Sequence, residues 1–247
     1  MTNEELFKRA EDLASRCERG GMVTSTAFLT PAEQYALRAF RPRGNAAMLF
    51  HGGVAGTERA CAFFLPDWME AAYFDPGDTL RCVRVTAHFG EPGHRDYLGA
   101  LLGMGVRREW IGDILIHENV AHVLCMQSVE GHLLTLEKVG RCGVKTAAVP
   151  LSEVPEPERR VRGVSFTVQS PRLDAVLSGL FHLSRTQAAE RVRVGDASLN
   201  YAECLRPDAE IHPGDVLSLR GHGKAAVTDI GGQSRKGRVY VTGEIYI

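Results

Sequence analysis

Along this 247-residue chain the spacing of hydrophobic positions changes character three times. From Thr2 to about Arg43 the spacing is helical: Leu6, Ala10 and Leu13 share one face. Thr30-Pro31-Ala32-Glu33 supplies an N-cap hydroxyl, a proline at the first helical position and the acid of a capping box, so two helices are predicted here. From Asn45 to about Pro150 the apolar runs shorten. Ala46 to Phe50, Cys61 to Leu65 and Leu80 to Ala87 read as strands, while the amphipathic segments from His94 and from Gln127 read as helices. The order strand, strand, strand, helix, strand, strand, helix, strand predicts an α+β domain with helices on one face of an antiparallel sheet.

A polar stretch with two prolines, Ser152 to Arg160, then interrupts the pattern and has the chemistry of a linker. Beyond it Leu173, Val176, Leu177 and Leu180 fall at i, i+3, i+4 and i+7, which predicts a short helix with one buried stripe. Ser184 caps a second helix, Gln187 completes its capping box and Gly195 is placed to end it. Strands are predicted around Ala197 to Tyr201 and Asp215 to Arg220. A further strand follows at Ala225 to Ile230, then a turn at Gly231-Gly232, a basic stretch Ser234 to Arg238, and a last strand at Val239 to Ile245. The expected organisation is a helical segment over 1–44, an α+β domain over 45–152 and a third domain over 165–247.

Composition adds two constraints. No apolar run approaches the roughly 20 residues that span a bilayer, and the first twenty residues alternate acidic and basic side chains rather than forming a secretory leader, so a cytoplasmic protein without a membrane partner is expected. The six cysteines stand singly, with none of the paired spacing that holds zinc, and read as buried reduced thiols. The overall charge of −1 conceals an asymmetry: residues 1–158 carry 16 Lys+Arg against 21 Asp+Glu, and residues 159–247 carry 13 against 9. A basic C-terminal third on an acidic body suits a polyanion-binding face.

The sharpest chemistry lies in that basic third. Arg172-Leu173-Asp174 opens the first helix, Ser184-Arg185-Thr186-Gln187-Ala188 the second, Val192 to Asn200 carries a glycine before a strand, and His212-Pro213-Gly214-Asp215 precedes the next. Two short helices so placed would gather Arg172, Arg185, Arg191 and Arg193 outside a small core, where guanidinium groups bind phosphate oxygens bidentately and stack on bases. A solvated basic helix face is the alternative reading. In order and spacing over some fifty residues this segment resembles the S4 RNA-binding domain, with one departure: Tyr201 stands where the family usually has glycine. The resemblance implies a fold of the αL type and RNA contacts from Arg172, Ser184, Arg185, Gln187, Arg191, Arg193, Arg220, Lys224, Lys236 and Arg238.

A second resemblance runs from about Asn45 onward. The run from Gly93-His94-Arg95-Asp96 through Arg107-Arg108-Glu109-Trp110 to Ile114, together with Lys138 to Arg141, Arg220 to Gly223 and Lys236-Gly237-Arg238, is similar to the YlmH family of bacterial S4-domain proteins. That family implies an RRM-like middle domain, attachment to ribosomal RNA of the large ribosomal subunit, and a role in quality control of stalled translation on subunits carrying peptidyl-tRNA, as a monomer. The family also has an older association with cell division.

In the middle domain His94, Arg95, Arg107 and Arg108 are further candidates for RNA contact, each balanced against a plain helix-start or solvent role. His94-Arg95-Asp96 matches the kinase catalytic tripeptide but lacks every accompanying kinase element. Gly52-Gly53 and Gly56 lack the lysine and strand–loop–helix context of a nucleotide loop and read as turns, and His117-Glu118 has no second histidine at metal spacing. Absence of the Arg/Lys-Gly-Phe aromatic signature favours recognition of RNA shape and backbone over base readout. No cofactor, metal or catalytic residue is expected. Two rival readings remain, an RNA-modifying enzyme of the pseudouridine synthase or methyltransferase type and a protein-binding adaptor linked to cell division.

Overall fold

A computed structural model describes residues 2–157, 160–234 and 237–247. It separates into two compact units, Met1–Pro157 and Glu158–Ile247. Both mix helices with antiparallel sheets.

In the first unit, helix α1 (Asn3–Gly20) begins at a reciprocal capping box between Thr2 and Glu5 and stops where Gly21 turns left-handed, at φ 60°. Strand β1 (Thr24–Ser25), helix α2 (Pro31–Leu37), β2 (Ala47–His51) and β3 (Cys61–Leu65) follow. The three strands form a sheet in the order β1-β3-β2. Leu6, Ala10, Ala14 and Cys17 of α1 pack with Leu37, Ala62 and Phe64. The sheet runs across the expected division at residue 45: β3 pairs with β1 of the N-terminal segment on one side and with β2 on the other. The reason lies in β3, where every residue is buried. Its even positions face α1, and Cys61, Phe63 and Leu65 face a separate core with Leu80, Cys82 and Leu124. A continuous apolar run reports burial on both faces but not which neighbours bury it.

The chain then runs through β4 (Leu80–Ala87), α3 (His94–Gly103), β5 (Ile111–His117), β6 (Val120–Met126), α4 (Gln127–Leu133), β7 (Lys138–Val139) and β8 (Cys142–Val149). Their sheet is antiparallel throughout, in the order β5-β6-β4-β8-β7. β6 therefore lies between β4 and β5, the split βαβ arrangement. α3 and α4 cover one face through Tyr97, Leu101, Val129 and Leu133, packed on Val83, Val85, Ala121 and Val123.

The second unit is built on a six-stranded antiparallel sheet. It comprises β9 (Val161–Val168), then helices α5 (Leu173–Phe181) and α6 (Arg185–Arg193), then β10 (Ala197–Leu199), β11 (Ala202–Glu203), β12 (Val216–Leu219), β13 (Gly223–Gln233) and β14 (Val239–Tyr246), with strand order β11-β10-β12-β13-β14-β9. Leu173, Val176, Leu177 and Leu180 are fully buried, with Ala188 and Val192 of α6 and Leu217, Leu219 and Val241 of the sheet. β9 starts at Val161, ahead of 165, because it pairs with β14 along the whole length of both strands. Gly231-Gly232, expected to turn the chain, lies inside β13; Gly232, at φ 69°, sits in a bulge and pairing resumes at Gln233 opposite Val239.

Candidate nucleic-acid interface

Arg172 is the N-cap residue of α5 and Arg185 the first residue of α6. Between them stands Asp174, a charged side chain only 6% exposed. Its two oxygens divide the labour: Oδ2 takes Arg185 Nη2 at 2.8 Å and Oδ1 lies 3.4 Å from Arg172 Nε. The arginines keep 43% and 52% of their side-chain surface. One buried carboxylate thus hydrogen-bonds Arg185 and lies within ion-pair range of Arg172, whose Nε makes no hydrogen bond, and both guanidinium groups keep open outer edges suited to bidentate phosphate contact.

A second carboxylate does the same at the far end of α6. Asp196 holds Arg191 Nε at 2.6 Å and Arg220 Nη1 at 3.2 Å, and Arg191 Nη2 donates to the Arg220 carbonyl. The four-arginine cluster expected around α6 is therefore two anchored pairs. The Arg193 side chain is exposed and makes no hydrogen bond or ion pair with the described residues. Spacing alone does not identify Asp196 as the organiser of its pair; for Asp174 the signal is local, a carboxylate two residues after Arg172.

Ser184 and Gln187 have other employment. The Ser184 hydroxyl accepts the Gln187 N–H, and the Gln187 side-chain oxygen accepts from the Ser184 N–H and hydroxyl, so both are occupied by the capping box. Lys224 lies over the rings of Tyr201 and Tyr246, 5.5 and 4.9 Å from their centroids. Arg238 Nη2 donates to the Thr167 carbonyl at 2.6 Å, tying β14 to β9. Lys236 lies outside the described residues. Tyr201, where glycine was anticipated, sits with Asn200 in a two-residue hairpin loop in which both have positive φ, 51° and 69°. This is the type I′ geometry that favours Asn-Gly.

In the first unit His94 and Arg95 are exposed at the start of α3, whose Gly93 N–H is capped by Asp96. Arg107 is stacked on Trp110 at 4.0 Å and paired with Glu109 at 3.3 Å, its outer edge in solvent. Arg108 has an internal role besides: Nη1 donates to the carbonyls of Ile111 and Gly112. Buried backbone carbonyls need donors, and Arg108 supplies one, as Arg59 does for Ile111 and Phe28. Among the described residues no group of histidine, cysteine and acidic side chains converges as a metal site.

Comparison with known proteins decides the family. The model of the family described as "Putative RNA-binding domain in YlmH" matches residues 78–153. The chain is 30% identical over 220 residues to the "Ribosome-associated protein quality control protein P2" of Bacillus subtilis (strain 168), covering 89% of this chain and 86% of that one. The chain belongs to the YlmH family. Among solved structures, the "Cell division protein ylmH from Streptococcus pneumoniae" superposes with a TM-score of 0.51 at 18% identity, over 61% of this chain and 93% of that one. As a YlmH family member the chain aligns with its Bacillus relative across both compact units, and the matched RNA-binding domain spans the five-stranded sheet from just ahead of β4 to the end of β8. No helix of the described residues is long and apolar enough to cross a membrane.

Proposed function

We propose that this chain is a cytoplasmic RNA-binding factor of the ribosome, acting in quality control of stalled translation without catalysing a reaction. Its second unit serves as an S4-type domain that grips an RNA helix of the large subunit, and its split βαβ domain, RRM-like in topology, contacts tRNA or neighbouring rRNA. The observation that carries this reading is the Arg172–Asp174–Arg185 arrangement: two half-exposed guanidinium groups beside one buried carboxylate, in a chain aligned along most of its length with a relative named for ribosome-associated quality control. Such a site binds phosphates and has nothing to transfer. It would hold a peptidyl-tRNA-bearing large subunit, as a monomer, while other factors act.

Sedimentation of tagged protein through sucrose gradients tests this, with wild type beside the Arg172→Ala/Arg185→Ala variant. Co-migration of wild type with large subunits at low salt, lost in the variant, is the expected result. Wild type remaining at the top of the gradient after translation is stalled would overturn it. Loss of S-adenosylmethionine-dependent or isomerised nucleotides on rRNA in an Asp174 variant would overturn the non-catalytic part.

A further inference from the structure

The two faces of the five-stranded sheet differ. Helices α3 and α4 cover one of them. Side chains alternate across a strand, so Leu80, Cys82, Arg84 and Thr86 of β4 belong to the other. At one end of this second face Leu80, Cys82 and Leu124 are buried beneath Phe63 and Leu65 of β3. The cover does not extend over the other end. There Arg84 stands opposite His122 of β6 on one side and Ala147 of β8 on the other, and the next rung pairs Thr86 with Lys145. On β5, Leu115 faces His122 and His117 faces Val120. Directly opposed side chains lie about 5 Å apart at Cβ and diagonal ones about 7–8 Å, so Arg84, His122 and Lys145 form one patch with His117 at its rim. Arg84, Lys145 and His117 are exposed and His122 is half-buried.

The two cations of this patch, Arg84 and Lys145, are not neutralised. Arg81 is matched by Glu130 and Arg107 by Glu109. Among the described residues no carboxylate pairs with Arg84 or Lys145. Asp113, the acid of β5 nearest the covered end, is engaged by the N–H groups of Glu58 and Arg59. His122, held toward its neutral form by burial and by the Arg84 charge, adds a half-buried polar ring rather than a charge, with Nδ1 buried and without a partner. Within a unit of net acidic composition, an exposed cationic patch without acidic partners on an open sheet face complements a polyanion. The residues beside it, Thr86, Leu115, Val120 and Ala147, include no Phe, Tyr or Trp on which a base could stack, so the complementary part of an RNA is its phosphate backbone.

We propose that the uncovered half of this sheet, centred on Arg84, His122 and Lys145, is a second RNA-contact surface, holding the sugar–phosphate backbone. The inference rests on the RNA-binding reading above but concerns a different unit from the arginine pairs of α5 and α6. Fluorescence anisotropy of fluorescein-labelled bulk tRNA tests it, using the full chain as wild type, as Arg84→Gln/Lys145→Gln and as Arg172→Ala/Arg185→Ala. Both sheet substitutions are at exposed positions, and Arg84→Lys/Lys145→Arg serves as the charge-preserving control. The Gln variant is expected to bind about tenfold more weakly and to lower the slope of log affinity against log salt by about one for each cation removed, with the control near wild type. Ultraviolet crosslinks to tRNA are expected in peptides from β4 and β8, and to persist in the Arg172→Ala/Arg185→Ala protein. If the Gln variant keeps wild-type affinity and slope while Arg172→Ala/Arg185→Ala loses binding, the RNA reading stands and the sheet surface is wrong. If wild type binds neither tRNA nor purified rRNA, both fall.

Discussion

Asp174 of α5 and Arg185 of α6 meet at 2.8 Å, with the carboxylate buried and the guanidinium half in solvent. The pair joins the N-terminal turns of two short helices. Removing the carboxylate costs the fold one charge-assisted hydrogen bond and a looser ion pair to Arg172, but the half-exposed arginines can rehydrate, so the loss belongs at the lower end of its range. Asp174→Ala should destabilise the protein by about 1–2 kcal/mol. In urea denaturation a double-mutant cycle with Arg185→Ala should show a coupling of at least about 0.5 kcal/mol. Additive effects would mean that the pair contributes nothing.

Arg172→Ala and Arg185→Ala should each weaken RNA binding by about 1–3 kcal/mol while leaving the helices intact, and wild-type affinity should fall steeply with salt. Titration at two salt concentrations checks both. Affinity indifferent to salt would contradict phosphate recognition.

Burial pushes the imidazoles of His51 and His122 below the ordinary histidine value of 6.5, with the Arg84 charge adding to the effect at His122. A depressed imidazole takes its proton in the unfolded chain first. Its stabilising contribution is therefore complete above 6.5 and is lost as pH falls through the lower folded-state value. Urea midpoints should drop on the acid side of 6.5, and His51→Gln/His122→Gln should flatten that drop without moving the midpoint above it.

Burial drives the thiols of Cys82 and Cys125 up to about 12 and that of Cys61 higher still. Thiolate is the reactive form, so these three should resist alkylation at neutral pH until the chain unfolds, whereas the half-buried Cys142 and Cys204 should label first. Peptide mass mapping after timed iodoacetamide treatment reads the order.

Tyr201 holds a positive φ of 69° in the β10–β11 hairpin, where a left-handed L-residue costs about 1–2 kcal/mol. Its ring contact with Lys224 returns about 0.5–1 kcal/mol. Tyr201→Gly should thus stabilise the second unit by up to about 1 kcal/mol and Tyr201→Val should destabilise it, as thermal unfolding would show.

What could be read locally was read from spacing. The capping boxes at Thr30 and Ser184 depend on residues three apart and form where expected. Their consequence for function is less direct: the spacing that identifies Ser184 and Gln187 also occupies their side chains. Arg108 shows the limit of such reading. Nothing in its immediate neighbours indicates that the Ile111 and Gly112 carbonyls will need a donor, because that need arises only when the chain folds back on it. Arg84, His122 and Lys145 stand on separate strands, 38 residues apart from first to second in the Arg84–His122 pair, and only the sheet register makes them neighbours.

By itself, then, the order of residues determined the helix starts, most of the strands and the family: helix starts from caps, strands from short apolar runs, and a basic third with arginines at the openings of two helices. Those features follow from interactions within a few residues of one another, which do not depend on distant parts of the chain. The tertiary structure alone decided that β2 and β3 belong with α1 and cover half of the neighbouring sheet, that Asp174 and Asp196 sort the arginines into pairs, and which cations remain without a carboxylate. Those outcomes depend on which apolar faces bury one another, a choice made among surfaces distant in sequence and compatible with the same local pattern.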